Sequence, residues 1–341
     1  MQKDSDIYGN SLMIIIANQG MGCKVLEYVL ELGIRGATVF HALGTLPNQI
    51  LKMLELIDVR KDVIMIALPK CHEKELFDKM IARFHFDRLG KGIIFTLDLS
   101  GVYGSNRLSQ EFSQAVEPRK MSVLQGVMTI VDKGQADRIL DYVEEQGFMR
   151  GIVINAHSSA DKSNKFFDLI FESEKEIILT FTTHDQTHRL AHLLIKYLNL
   201  ETSNSGILAI LNLQRSVGIT LTLKISREEN ELDKMENKPG YSAIFAIVEK
   251  NMDEAVIRSA EMAGSTGGTI IHARGSCPYH RKNFFFRGVE PEREIVLIIA
   301  EDEKIKDICY KIKEDLQLDT PGKGIILVVP LYYAVGLANG G

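Results

Sequence analysis

Three observations predict an α+β fold built from one unit used three times. Glycines recur at a fixed interval, each interval holds the same order of short apolar runs and helical stripes, and the runs are apolar at both parities. Gly20, Gly33, Gly92 and Gly104 return as Gly134, Gly147, Gly206 and Gly218, a constant shift (206 − 92 = 114). Leu26, Tyr28, Val29, Glu31, Ala42 and Ile93 return in that register as Leu140, Tyr142, Val143, Glu145, Ala156 and Ile207. A third copy takes Val131 to Val248 and Gly147 to Gly264 (264 − 147 = 117), then Gly206 to Gly324 and Gly218 to Gly336 (324 − 206 = 118). The units run 13–104, 127–218 and 244–336, with linkers 105–126 and 219–243.

Each unit opens with a β-branched run too short for a helix (13–17, 127–131, 243–248), predicted as a strand. A helical stripe follows, Val25, Leu26, Val29 and Leu30 in the first unit. Gly33, Gly147 and Gly264 stand where a left-handed residue ends a helix. A second strand (37–43, 152–157, 269–274), a polar and aromatic loop, and a third strand (63–68, 177–182, 295–300) come next. The second helix carries Leu76, Met80 and Phe84 in one unit, Leu190, Leu193, Leu194 and Tyr197 in the next, and Ile305, Ile308, Ile312 and Leu316 in the last. A final strand begins after Gly92, Gly206 or Gly324. The order β-α-β-β-α-β is the ferredoxin-like plan. Strands 93–97 and 325–329 are apolar on both faces, whereas a half-wet sheet alternates, so something must cover the face opposite the helices. Three copies packing their sheets inward, as a monomeric pseudo-trimer, supply that cover.

The third unit resembles the nitrogen-regulatory P-II signalling proteins, ferredoxin-like trimers that bind ATP or ADP and often 2-oxoglutarate. Gly267, Thr269, Arg274 and Gly275 resemble the family's Gly-x-Thr…Lys-Gly second strand. Phe286, Arg287, Gly288, Val289 and Glu290 look like the Tyr-Arg-Gly-Ala-Glu of its effector loop, and Gly322, Lys323 and Gly324 through Pro330 resemble its Gly-Asp-Gly-Lys turn and last strand. The first two units share the plan and the glycines but few of these motifs. The resemblance implies a nucleotide cofactor, ATP or ADP, and a protein effector met through the loops 44–61, 158–175 and 275–294. It also departs from the family at the phosphate clamp, where Ile325, Gly336 and Ala338 stand in place of a lysine and two arginines. Gly104 and Asn106, then Gly218 and Thr220, take the arginine positions in the other units. Pro291 stands at the modified tyrosine, and Glu292 at a further lysine. These departures leave the cofactor unnamed.

Two turns, Gly90-Lys91-Gly92 and Gly322-Lys323-Gly324, pair a lysine with glycines that let a backbone approach an anion, whereas Ser205 stands in the second unit. With Thr269, Arg274 and Gly275 they form the candidate ligand set at clefts between units. Arg287, Gly288 and Glu290 are the candidate effector-loop residues. His184, His188 and His192 share a helix face and offer a weaker, metal-handling alternative, although their counterparts Lys70, Lys74 and Asp78 form an ordinary solvated face. His41, Asn155 and His272 occupy one position in the three units and are expected to satisfy local backbone. No GxSxG, HExxH, P-loop or dinucleotide fingerprint is present, and no catalytic set is called.

The 341 residues are 45% apolar and 25% charged, the composition of a globular chain. The net charge of −5 argues against nucleic acid as a partner. No run approaches the ~20 apolar residues of a membrane helix, and residues 1–10 lack the apolar core of a secretory leader. Cys23, Cys71, Cys277 and Cys309 are scattered without CxxC spacing, as in the reducing cytoplasm. The expectation is a non-enzymatic sensor for a small anionic metabolite or nucleotide that signals to a protein partner. The alternative is an interaction scaffold using Phe166, Phe167 and Phe284 to Phe286.

Overall fold

Between residues 12 and 17 every side chain is apolar, and the structure shows where both sets go. In the computed structural model, which describes residues 9–34, 36–44, 59–105, 108, 122–158, 173–202, 205–219, 221, 240–275 and 291–337, Asn10–Asn18 is a strand, β1. Its Met13, Ile15 and Ala17 pack under two helices, α1 (Met21–Glu31) and α2 (Lys70–Phe84), against Val25, Val29, Leu76 and Met80. Its Leu12 and Ile16 point the other way, into a core shared with Phe95, Phe181 and Phe245 from distant parts of the chain. Neither face meets water, so alternation is absent. Burying one such side chain contributes roughly 1.5–3 kcal/mol.

The same local sequence logic recurs along the chain. The first segment continues with β2 (Ala37–Gly44), β3 (Val59–Pro69), β4 (Gly92–Leu99) and a short β5 (Gly101–Tyr103). The second holds β6 (Leu124–Asp132), α3 (Ala136–Glu145), β7 (Ile152–Ser158), β8 (Glu174–Thr183), α4 (His184–Leu198), β9 (Gly206–Leu213) and β10 (Arg215–Val217). The third holds β11 (Tyr241–Glu249), α5 (Asp253–Met262), β12 (Thr269–Gly275), β13 (Glu292–Glu301), α6 (Asp302–Asp315), β14 (Gly324–Pro330) and β15 (Tyr333–Val335). Gly33 ends α1 as expected: its φ is 80°, and the Ile34 N–H reaches back to the Val29 carbonyl. Tyr197, expected in the core, is instead half-exposed and stacked on Tyr142 with ring centroids 4.3 Å apart.

How the strands are grouped differs from expectation. All fifteen belong to one antiparallel sheet, with a main path β10-β4-β1-β3-β2-β12-β7-β8-β6-β9-β15 and β13, β11, β14 and β5 joined as a branch. The sheet curls around the shared core, and the six helices among the described residues lie on its outer face over three smaller cores. The predicted fold class, three small ferredoxin-like βαββαβ units set as a pseudo-trimer, is therefore corrected. No segment keeps a sheet of its own, because its edges are hydrogen-bonded into other segments. The β2 strand pairs with β12 (Phe40 opposite Ala273) and with β7 (Leu43 opposite Val153), and β12 pairs with β7 (Ile270 opposite His157). At the opposite edges β10 pairs with β4, β15 with β9 and β5 with β14.

The short strands bring different side chains to their seams. From the second segment, the Arg215 Nε donates to Glu73 Oε1 at 2.9 Å. Glu73 is buried and also accepts from Ser11 Oγ (2.5 Å), Thr96 Oγ1 (3.0 Å) and the Lys70 ammonium (3.1 Å). Burial opposes ionisation of Glu73, but the hydrogen bonds from Ser11, Lys70 and Thr96 outweigh it and hold its pKa below the usual value. Burial likewise opposes the charge on Lys70, yet Asp98 and then Glu73 raise its pKa. Lys70 is thus no part of a solvated face. At the next seam Tyr332 lies edge-on to His184 and His188, each centroid 5.9 Å away.

Candidate functional site

A carboxylate on the third strand of each segment organises the start of that segment's first helix. Asp62 Oδ2 accepts the N–H groups of Gly20 (2.8 Å) and Gly22 (2.9 Å) at the head of α1. Glu176 does the same for Gly134 and Ala136 (3.0 and 2.8 Å), and Glu294 accepts from Asp253 (3.4 Å). Anionic oxygens are favoured at these unsatisfied donors. Burial, then the adjacent Asp253 carboxylate, push the Glu294 pKa up. Opposite these acids in register stand His41, Asn155 and His272. His41 was expected to serve local backbone. Instead its Nδ1 lies 3.1 Å from Asp62 Oδ1, and its Nε2 lies 2.7 Å from the guanidinium of Arg274. A guanidinium only donates, so Nε2 accepts and the Nδ1 proton goes to Asp62.

Beside this helix head lies a cleft of about 560 Å³, lined by Asn18, Gln19, Met21, Lys24, Glu27, Tyr28, Glu31, Arg83, Phe84 and Lys91. Lys91 comes from the glycine-flanked turn singled out in the sequence. Asn18 anchors that turn by donating to the Gly90 carbonyl at 3.4 Å. Lys24, Glu27, Tyr28 and Glu31 follow one stripe of α1. Arg83 lies over the rings of Tyr28 (5.9 Å) and Phe84 (5.8 Å), which meet edge to face at 5.7 Å. Among the described residues, no carboxylate forms an ion pair with Lys24, Arg83 or Lys91. Three cations therefore face one cleft that also holds Glu27 and Glu31, and none of the three is ion-paired with either acid.

At the corresponding places in the other segments the side chains partner one another. The positions of Tyr28 and Arg83 are held in the second segment by Tyr142 and Tyr197, whose rings stack on each other. In the third they are held by Ser259 and Asp315, joined by a 2.8 Å hydrogen bond. The turn lysine follows suit. Lys323 lies 3.8 Å from Glu249, and the Gly322 carbonyl accepts from Arg293 at 3.0 Å. Ser205 turns inward to the Leu198 carbonyl at 2.5 Å.

The remaining sequence candidates are dispersed. Gly92 and Gly324 begin β4 and β14, each close against the carbonyl of a neighbouring strand. Thr269 is buried at the start of β12, and Gly275 ends it under the Arg293 side chain. Arg274 joins His41 across the seam rather than joining Lys91. The cleft holding Lys91 is lined by the first segment alone, not by two units as expected. Arg287, Gly288 and Glu290, like Phe166, Phe167 and Phe284 to Phe286, lie outside the described residues. His184 and His188 are half-buried beside Tyr332, while His192 is exposed. Among the described residues no group of three or more His, Cys, Asp or Glu side chains is placed to hold a metal ion. No helix among them is long and apolar enough to cross a membrane.

Lys24, Glu27 and Arg83 were missed from the sequence because charges at helical spacing look like a wet surface. A usable signal was nevertheless present. Aligning the copies pairs Tyr28 with Arg83, Tyr142 with Tyr197 and Ser259 with Asp315, and only the first pair leaves a cation without a partner side chain of its own size or charge.

No family model and no curated protein matches this chain. A crystal structure of an anthrone oxidase-like protein aligns over 63% of this chain and 94% of its own, at 8% identity and a TM-score of 0.19, too slight a likeness to argue from. Nothing in these comparisons supports the P-II resemblance or a role in nitrogen regulation, and with the ferredoxin-like plan corrected both are set aside.

Proposed function

We propose that this chain is a non-enzymatic binding protein whose first segment takes a small anionic metabolite in the cleft between α1, α2 and the turn at 90–92. The observation that carries this reading is the convergence of Lys24, Arg83 and Lys91 without a carboxylate partner among the described residues. Arg83 is held by two aromatic faces, which keeps its N–H edge available to an anion. Lys91 follows Gly90, beside which the backbone faces open space. The scattered cysteines support a cytoplasmic setting.

The cations are exposed, so each contributes modestly, about 0.5–1 kcal/mol in such a setting. Calorimetry with a panel of carboxylates and phosphate monoesters is expected to find at least one that binds below about 1 mM (roughly −4 kcal/mol). Its affinity should fall with added salt, since the attraction is screened. Lys91→Ala and Lys24→Ala should each weaken it about two- to fivefold, whereas Lys323→Ala should not. No binding by any panel member, or equal loss from the Lys323 variant, overturns the reading.

A further inference from the structure

The cleft holds acids as well as cations. Glu27 and Glu31 line it with Lys24 along the same stripe of α1, and among the described residues neither acid has an ion-pair partner. The second segment shows how such an acid is satisfied internally. Asp141, which corresponds to Glu27, is bound by the nearly buried Arg150 at 2.5 Å, and Arg150 also reaches Glu144 at 3.2 Å. The residue at the Arg150 position in the first segment is Gly36, beside which a side chain would meet open space. In the third segment the Glu27 position is Arg258 and the Glu31 position is Met262, so no acid remains to be answered. The first segment alone keeps both acids and lacks the arginine.

A ligand that was purely anionic would satisfy the three cations and sit against two unanswered carboxylates. Along a helix the rise is about 1.5 Å per residue, which places Glu27 roughly 4.5 Å beyond Lys24 and Glu31 roughly 10 Å beyond it. Tyr28 lies between the two acids on the same stripe, offering an apolar wall to whatever links the charged ends of the ligand. Resting on the binding function proposed above, we infer that the ligand is a small zwitterion. Its carboxylate or phosphate meets Lys24, Arg83 and Lys91, and its ammonium meets Glu27, with Glu31 beyond.

The test uses matched pairs that differ only in the amine: aspartate and succinate, glutamate and glutarate, 4-aminobutyrate and butyrate, phosphoethanolamine and ethyl phosphate. Binding to the full chain is measured by calorimetry for wild type and for Glu27→Gln, an exposed substitution that leaves the core untouched. For the pair that binds, the amine-bearing member should bind at least tenfold more tightly. Glu27→Gln should cut that ratio below threefold by weakening the amine-bearing member, leaving the other unchanged or slightly tighter. Equal affinity within a pair, or a Glu27→Gln effect common to both members, overturns the zwitterion and leaves the anion site standing. Failure of every pair overturns both.

Discussion

Replacing Glu73 by leucine tests whether the seam between the first and second segments depends on one buried carboxylate. Glu73 gathers hydrogen bonds from Ser11, Thr96, Lys70 and Arg215. Ser11 and Thr96 are fully buried, so neither hydroxyl can turn to water when its acceptor disappears. Each such orphaned group costs about 1–3 kcal/mol. Lys70 keeps Asp98, and the half-exposed Arg215 can return to solvent, so both add little. The expected loss for Glu73→Leu is therefore about 2–6 kcal/mol, read by urea unfolding followed by circular dichroism, since the chain has no tryptophan. Glu75→Gln, on the exposed face of the same helix, should change stability by no more than about 0.5 kcal/mol. The pH dependence has a definite sign. The folded-state pKa of Glu73 lies below its ordinary 4.5, so its contribution is complete above pH 4.5 and fades as pH falls through the depressed value. For Lys70 the folded value lies above 10.5, so its contribution is complete below that pH and is lost as pH rises further. The gap between wild type and Glu73→Leu should accordingly be widest near neutrality and narrow in acid. A loss under about 1 kcal/mol, below a single orphaned hydroxyl, or a gap as wide at the acid limit as at neutrality, would refute this account of the seam.

Two further outcomes follow from the same packing. Gly218 has a φ of 84°, and a Cβ there would drive into the Gly92 carbonyl oxygen across the β10–β4 seam, whereas Gly33, with φ 80°, faces open space. Gly33→Ala should cost about 1–2 kcal/mol for the left-handed backbone alone, and Gly218→Ala clearly more; equal urea midpoints would show that the seam yields freely. Cys309 is buried, which pushes its thiol pKa up, while Cys23 and Cys71 are exposed. An aromatic disulfide reagent should therefore modify Cys23 and Cys71 promptly and reach Cys309 only under unfolding conditions, and prompt reaction at Cys309 in mass spectra would contradict the packing under α6.

Much of the local structure was legible because it is local. Apolar runs such as 13–17 and 177–182 lie inside the observed β1 and β8, and glycines at 33, 147 and 264 stop helices for a reason carried by a single residue. Sheet connectivity left no such trace. Whether the edge of β2 ends in solvent or pairs with β12 depends on residues more than 200 positions away (273 − 40 = 233), and no periodicity reports it. The three-residue strands β5, β10 and β15 are too short for any pattern. Nothing in the sequence marks Glu73 as buried, because its partners Ser11, Thr96 and Arg215 lie far off along the chain. Asp62 fell one position short of the expected third strand, so its bond to the head of α1 went unseen. Of the cleft, only Lys91 was legible, through the glycines on either side of it; Lys24, Glu27 and Arg83 gain meaning only once α1 and α2 are set side by side.

The closure of the fifteen strands has a consequence for how this molecule can meet others. Among the described residues, every strand of seven residues or more is hydrogen-bonded on both sides, and the strands with one neighbour, β5, β10 and β15, span three residues each. A peptide that binds by adding itself as an extra strand needs a longer run of unpaired N–H and C=O groups than these offer. The same scarcity guards against end-to-end polymerisation, the usual hazard of a sheet this large and this apolar. On the described body it is the helices and turns that present unpaired side chains, while the backbone of the long strands is already taken up by its neighbours.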